Sequence, residues 1–373
     1  MNILHVVNIY FVLPYFIGDQ FLYFKDKGHN MHVACSKSEY LADYAYSKGF
    51  KYLETPVNRS ISISDDFKSI RNILEYIKGN NIDVVVGHTP KGGLLAMIAG
   101  WLGRVPKRIY FRHGIVYETS TGIKRFILKT VDRIASLLAT EIVCVSDSVL
   151  QKSIEDRLAP SSKQLILGKG TCNGVDTINQ FNPEKVDLVK IEGLRNRYGI
   201  NENDFVIGYS GRLVRDKGII ELVSAFGQIE DQNCKLLLVG MFEERDALPE
   251  DVKEKILNDN RIVYTGFING GMKNYYSLMD MYALISYREG FPTGTLEAQA
   301  MELPVLTTRA TGCRDSIVEG LTGLFTTHNP DEIAASIEIL RKGDAIDGKE
   351  GRKWVVENFD SHKIWQEIEK LIV

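Results

Sequence analysis

Glu289 and Glu297, with seven residues between them, enclose the run Gly290-Phe291-Pro292-Thr293-Gly294-Thr295. An apolar run precedes it at 281–286, and a helix-forming run follows at 295–301, ended by Pro304. This order predicts a buried strand, a tight turn and a helix. The helix start then falls at residues 292–295, where unpaired backbone N–H groups favour an anion. Carboxylates accept hydrogen bonds from hydroxyls, and helix amides hold phosphate. A ligand that joins hydroxyls to phosphates uses both, and a nucleotide sugar is such a ligand. On this segment alone, a capped helix with two solvated glutamates accounts for the residues equally well.

A second turn has complementary chemistry. The run 205–210 reads as a strand and 219–226 as a helix, with Gly211-Arg212-Leu213-Val214-Arg215-Asp216-Lys217-Gly218 between them. Arg212 can fork two donors onto phosphate oxygens, and Lys217 adds a point charge. Both fall at the C-terminal end of a strand, where open α/β sheets bind ligands. Either residue taken singly reads most simply as part of a solvated basic turn. Together, and matched by the glutamate turn, they favour an anion site.

Gly211-Arg212-Leu213 with Lys217-Gly218, followed by Glu289-(seven residues)-Glu297, resembles the retaining glycosyltransferases of the GT-B fold, family-4 type. The resemblance extends over most of residues 200–330 and is weaker but consistent over 1–200. Its narrower likeness is to bacterial enzymes that build capsule, O-antigen or glycoprotein glycans on a lipid carrier. It implies an α/β protein of two Rossmann-like, doubly wound parallel-sheet domains facing across a cleft. The last helix would cross back onto the first domain. It also implies transfer from a nucleoside-diphosphate sugar, a UDP-sugar for preference, with no metal and no cofactor beyond that co-substrate.

The resemblance distributes roles. Arg212 and Lys217 would neutralise the departing diphosphate, helped by Gly211 and by the amides of Gly290, Phe291, Pro292–Thr293 and Gly294–Thr295. Glu297 would accept hydrogen bonds from ribose hydroxyls. Glu289 would hold sugar hydroxyls and steady positive charge at the anomeric carbon. Phe267 and Ile268 would bracket the base. Asn173, in an Asn-Gly turn that needs no function to exist, would approach the ligand. Gly18 stands where many relatives carry a paired-glycine loop touching the diphosphate. Here it follows the bulky run 10–16, and that departure weakens the contact.

In the first half, Phe111-Arg112-His113-Gly114 follows an expected strand, which sets His113 at a strand end beside glycine. The resemblance places His113 close to the donor sugar and Arg112 on the acceptor side. His88 and Lys91 also follow a strand and open a helix. They read as an acceptor-side anion site or, equally, as a positional turn.

The elements that would carry these residues alternate throughout. Strands are expected at 3–7, 31–35, 84–86, 108–111 and 142–145, then at 205–209, 235–239, 261–264, 282–285, 304–307 and 323–325. Helices are expected between them, which argues for parallel sheets covered on both faces. The loose stretch 161–182 reads as a linker. A chain of 373 residues exceeds what one core usually serves, so two domains are expected: 1–172 with 358–373, and 173–357. The final helix carries an apolar stripe at Ile364, Trp365, Ile368 and Leu371.

Composition narrows the setting. The net charge of −3 gives no global reason for nucleic-acid binding. Five scattered cysteines without a C-x-x-C pair fit a reducing cytoplasm and no zinc site. No signal peptide and no spanning segment is expected. Between Lys91 and Arg133, however, nine basic residues face two acidic ones. Inside that stretch, 123–134 is amphipathic, with Lys124, Arg125 and Lys129 beside Phe126 and Ile127. It reads as a surface for anionic lipid headgroups or, equally, as an ordinary helix with its apolar face in the core. The partners expected are therefore a nucleotide sugar, a saccharide acceptor on a lipid carrier and an anionic membrane surface. The protein would be cytoplasmic and peripheral on the inner face of the plasma membrane. The competing readings are a nucleotide-sugar epimerase or hydrolase on the same fold, and a non-catalytic nucleotide-sugar-binding subunit.

Overall fold

The computed structural model describes residues 1–58, 62–343 and 345–373. They group into two compact units, Met1–Gly174 with His362–Val373, and Val175–Ser361. The divisions fall at 174/175 and 361/362, against 172/173 and 357/358 read from the sequence.

The first unit holds strands β1 (Asn2–Val6), β2 (Asn30–Cys35), β3 (Lys51–Glu54), β4 (Val84–His88), β5 (Lys107–Arg112), β6 (Glu141–Cys144) and β7 (Gln164–Leu165). They form one seven-stranded parallel sheet in the order β3-β2-β1-β4-β5-β6-β7. The second unit holds β8 (Phe205–Ser210), β9 (Cys234–Val239), β10 (Ile262–Gly266), β11 (Met281–Leu284), β12 (Val305–Thr308) and β13 (Gly323–Thr326). These make a six-stranded parallel sheet, β10-β9-β8-β11-β12-β13. The strands read as continuous apolar runs because helices bury both faces of each sheet. Each sheet has its own apolar core.

In both sheets the strand order reverses once, between β1 and β4 and between β8 and β11. Chain leaving neighbouring strands in opposite directions opens a crevice at that point, beyond the carboxyl ends of the strands. The turns singled out from the sequence follow β8 and β11, the pair at the second reversal.

Two strands escaped the sequence pattern. β3 is a sheet edge with mostly exposed residues, so it lacks an apolar signature. β7 spans two residues inside the expected linker 161–182 and pairs with β6. The terminal helix Ser361–Ile372 buries Ile364, Trp365, Ile368 and Ile372. Ile372 thus replaces Leu371 in the expected stripe, because the 364, 368, 372 spacing keeps one helical face. Trp365 Nε1 donates to Asn173 Oδ1 at 2.8 Å, and Lys107 Nζ donates to the carbonyls of Leu371 and Ile372 at 2.8 and 2.9 Å. A cation there complements the helix's negative end.

Candidate active site

The turns after β8 and β11 are clasped together at the reversal in the second sheet. The carbonyl of Asp216 accepts from Ser286 Oγ and from Tyr287 N, each at 2.9 Å, and Arg288 Nη2 donates to Asp216 Oδ2 at 2.7 Å. Gly218, at φ +68°, makes this approach possible, since a Cβ there would lie 1.9 Å from the Ile285 carbonyl oxygen. The clasp brings Lys217 to Glu289, with which it forms an ion pair. Arg212 pairs with Glu243 instead and is half-exposed. The expected cations therefore stand at the strand ends, each held by a carboxylate.

The helix after β11 is Thr293–Ala300, with Pro292 as its N-cap. Gly290, Phe291 and Pro292 form the approach, and Phe291 packs on Phe359 with ring centroids 5.3 Å apart. Thr295 is buried, and its hydroxyl donates to the Pro292 carbonyl at 2.6 Å. Gly294 sits where a Cβ would come within 2.5 Å of the Tyr282 hydroxyl. Glu297 lies in the second helical turn. Tyr276 Oη donates to Glu297 Oε2 at 2.8 Å and lies 2.9 Å from Ser210 Oγ, which in turn is 3.2 Å from Tyr282 Oη. Loss of solvation pushes the Glu297 carboxyl up to about 7, partly opposed by the Tyr276 hydrogen bond. A carboxylate poised near neutrality, in the second turn of a helix that starts at this strand end, can accept hydroxyl hydrogen bonds beside a phosphate site.

Gly211 leaves β8 at φ +142°, its N–H donating to the Val239 carbonyl at 2.9 Å. Phe267 and Ile268 follow edge strand β10; Phe267 is exposed and Ile268 packs on the core.

In the first unit, Gly18 has φ +55°, and a Cβ there would meet the Pro14 carbonyl at 2.7 Å. The Asn173 side chain is spent between the Tyr15 carbonyl (3.3 Å) and Trp365, tying the aromatic segment to the terminal helix. His113 stacks on Phe16 with ring centroids 3.9 Å apart.

The acceptor-side expectation needs correcting at Arg112. Arg112 is fully buried and turns its donors to Asp132 (2.6 Å), Ser136 (2.6 Å), Ser153 (2.6 Å) and Gln164 (2.9 Å). Its period-2 position in β5 points it into the core rather than at solvent. Lys91 is ion-paired with Asp66, and Thr89 caps the helix Pro90–Leu102. His88 is buried between two other histidines. Arg112 thus serves the interior of the unit, while Lys91, like Lys217, stands paired with a carboxylate.

The basic helix divides between the two readings, since Leu128, Ala135 and Leu138 pack on the core of the first unit. In Gly122–Leu138, Ile123, Phe126 and Leu137 are 79%, 70% and 73% exposed. Arg125 and Lys129 instead turn inward to Asp156.

Both units match known glycosyltransferase models. Residues 190–359 match the glycosyl transferases group 1 model, and residues 3–146 match the glycosyl transferase 4-like model. The capsular polysaccharide biosynthesis glycosyltransferase CapM of Staphylococcus aureus is 32% identical over 376 residues, covering 99% of this chain and 96% of CapM. The chain is a group 1, 4-like glycosyltransferase. An Escherichia coli relative, UDP-Gal:alpha-D-GlcNAc-diphosphoundecaprenol alpha-1,3-galactosyltransferase, is 26% identical over 291 residues, 76% of this chain and 72% of that one. In fold, the glycosyltransferase superposes on Anabaena HepE, solved with UDP and glucose, at a TM-score of 0.82. Identity there is 20%, over 99% of this chain and 98% of HepE. The GT-B likeness read from the sequence is thus its fold, and family membership sets aside the epimerase, hydrolase and non-catalytic readings.

Some residues of the glycosyltransferase's site carry no sequence signal. Glu243, the partner of Arg212, lies in a polar loop like many others. Tyr276 sits in the short helix Met272–Tyr276, where only the fold brings its hydroxyl to Glu297. Tyr282 had a faint signal, as a hydroxyl in an otherwise apolar strand.

Proposed function

We propose that this glycosyltransferase moves a sugar, with retention of anomeric configuration, from a UDP-sugar to a saccharide on a polyprenyl diphosphate carrier in surface polysaccharide assembly. The observation that carries the donor half is the gathering of Arg212, Lys217, Glu289 and Glu297 at the reversal of one sheet, beside a helix N-terminus. In this reading Lys217 exchanges Glu289 for the diphosphate, and Arg212 exchanges Glu243. The N–H groups of Gly290, Phe291, Thr293 and Gly294 receive the remaining phosphate charge. Glu289, released, holds sugar hydroxyls and faces the anomeric carbon, while Glu297 accepts from the ribose. His113 is read as a further residue that holds the sugar. The name of the diphosphoundecaprenol galactosyltransferase supports the lipid-linked acceptor, and that of CapM supports surface polysaccharide assembly.

The two cations and the helix amides do the charge-neutralising work a divalent ion would otherwise do. Turnover of a UDP-sugar should therefore persist in saturating EDTA. Loss of turnover restored by Mg²⁺ or Mn²⁺ would remove this part of the reading.

Among the described residues no helix is long and apolar enough to cross a membrane. The exposed Ile123, Phe126 and Leu137 beside Lys124 suit contact with an anionic bilayer, where a lipid-linked acceptor would be presented. Arg125 and Lys129 hold Asp156, so reversing their charge would disturb the fold as well as the surface. The cleaner variant is Ile123→Glu with Phe126→Glu. It should keep UDP affinity and lose co-sedimentation with phosphatidylglycerol-containing liposomes. Unmutated protein that fails to bind such liposomes at low salt, yet glycosylates soluble sugars, would replace the lipid-linked acceptor with a soluble one.

A further inference from the structure

His5, His88 and His113 form a file across three adjacent strands of the first sheet. His5 on β1 lies next to Val86 of β4, and His88 at the end of β4 lies next to Phe111 of β5. His113 follows Phe111 by two residues. Each step is one strand sideways and two residues along, which keeps the three side chains on one face of the sheet. His5 Nδ1 lies 3.0 Å from His88 Nε2, and His88 Nδ1 lies 2.9 Å from His113 Nε2. Phe111 stacks on His88 and Phe16 on His113, which fixes the ring planes.

The two ends of the file differ. His5 Nε2 is buried and has no hydrogen-bond partner among the described residues. The ring packed against His5 is Phe21, near-perpendicular at 6.0 Å, and it offers no lone pair. His113 is partly exposed, and its Nδ1 makes no hydrogen bond among the described residues. Burial keeps the file uncharged: it pushes His5 and His113 down to about 3 and His88 well below its ordinary value.

Three neutral rings carry three N–H protons. Two occupy the two N–H···N bonds, and the third must stand at one end. If it stands at His5 Nε2, a buried donor faces no acceptor. If it stands at His113 Nδ1, the buried end is a bare acceptor and the donor faces outward. Buried N–H donors without a partner are the rarer case.

We propose that the file is a tautomer lock, in which His5 and His88 act as positioning residues that hold His113 as the neutral Nδ1–H form. His113 then meets its ligand as a hydrogen-bond donor to a saccharide oxygen and not as a base. This role rests on the reading of His113 as ligand-facing.

The test is a long-range ¹H–¹⁵N correlation spectrum of the ligand-free full chain labelled with ¹⁵N-histidine, with His113 assigned by its loss in His113→Gln. All three file histidines should show a protonated Nδ1 and a bare Nε2. A protonated Nε2 on His113, or a charged ring near neutral pH, would overturn the lock. His88→Glu, read above the pH at which its buried carboxyl ionises, sets an acceptor-only group against His113 Nε2. It should turn His113 to the Nε2–H form and lower turnover by about tenfold with UDP affinity unchanged. The amide of His88→Gln can still donate into Nε2 and should preserve both tautomer and turnover. Equal turnover in the two variants despite different tautomers would overturn the donor role. Unmoved His113 signals on adding UDP-glucose, with full turnover in His113→Gln, would instead defeat the ligand-facing reading while the tautomer itself stands measured.

Discussion

Lys217→Ala is expected to cut turnover by ~10²-fold, about 2.7 kcal/mol of barrier, while the protein melts nearly as before. Negative charge on the departing diphosphate grows as the glycosidic bond breaks, so a cation at that position acts more strongly on the transition state than on bound donor. Lys217 is mostly sheltered from solvent, so its charge is less screened than a surface lysine's. Arg212→Ala should act in the same direction and by a similar factor. Arg212 is half-exposed and, among the described residues, its side chain pairs with Glu243, so its loss should cost little stability. Steady-state kinetics with thermal melting of both variants checks this. Near-normal turnover in both would strip the cations of their assigned work.

The second large effect concerns Glu297 and pH. Its carboxyl is raised to about 7, so it ionises across the neutral range. Ribose hydroxyls donate best to the ionised form, so donor affinity should rise with pH. If binding needs the carboxylate, the apparent Kd for a UDP-sugar should tighten about tenfold from pH 6 to pH 8. The diphosphate diester of a UDP-sugar does not titrate there, which leaves Glu297 as the assigned source. The sign for stability is opposite. A raised folded-state value stabilises the free protein most below the ordinary carboxylate range, and this contribution fades as pH rises through about 7. Glu297→Gln should flatten both trends. Glu297→Ala should bind free UDP weakly. Glu289→Ala should bind it at least normally, because Lys217 is then unneutralised, and should lose turnover instead. Calorimetry across pH decides, and the reverse pattern would exchange the two assignments.

Much of the second unit was legible because its signals are local. Gly218 and Gly294 stand where a turn must pass against a strand or a tyrosine, and Pro292 marks a helix start that a one-dimensional reading can find. The sheet strands declared themselves as apolar runs because both faces are buried. The first unit was harder to read. Arg112 and His113 are neighbours in sequence, yet period-2 alternation sends one into the core and the other to a strand end. A basic residue beside a candidate ligand-facing histidine does not reveal which way it points. The histidine file was invisible for a related reason. His5, His88 and His113 are far apart in sequence, and only the order β1, β4, β5 sets them side by side. The amphipathic helix posed the opposite problem. Its apolar residues gave the expected period, but whether that stripe faces core or solvent depends on what packs against it.

The most direct measurement gives the protein labelled UDP-sugars, UDP-glucose, UDP-galactose and their N-acetylated forms, with a polyprenyl-diphosphate-linked saccharide in micelles. Product is read by mass spectrometry and by the anomeric coupling in early NMR spectra. The expected result is transfer from one of these donors only when acceptor is present, with the α configuration of the donor kept in the product. Release or epimerisation of the sugar without acceptor, or a β-linked product, would contradict it.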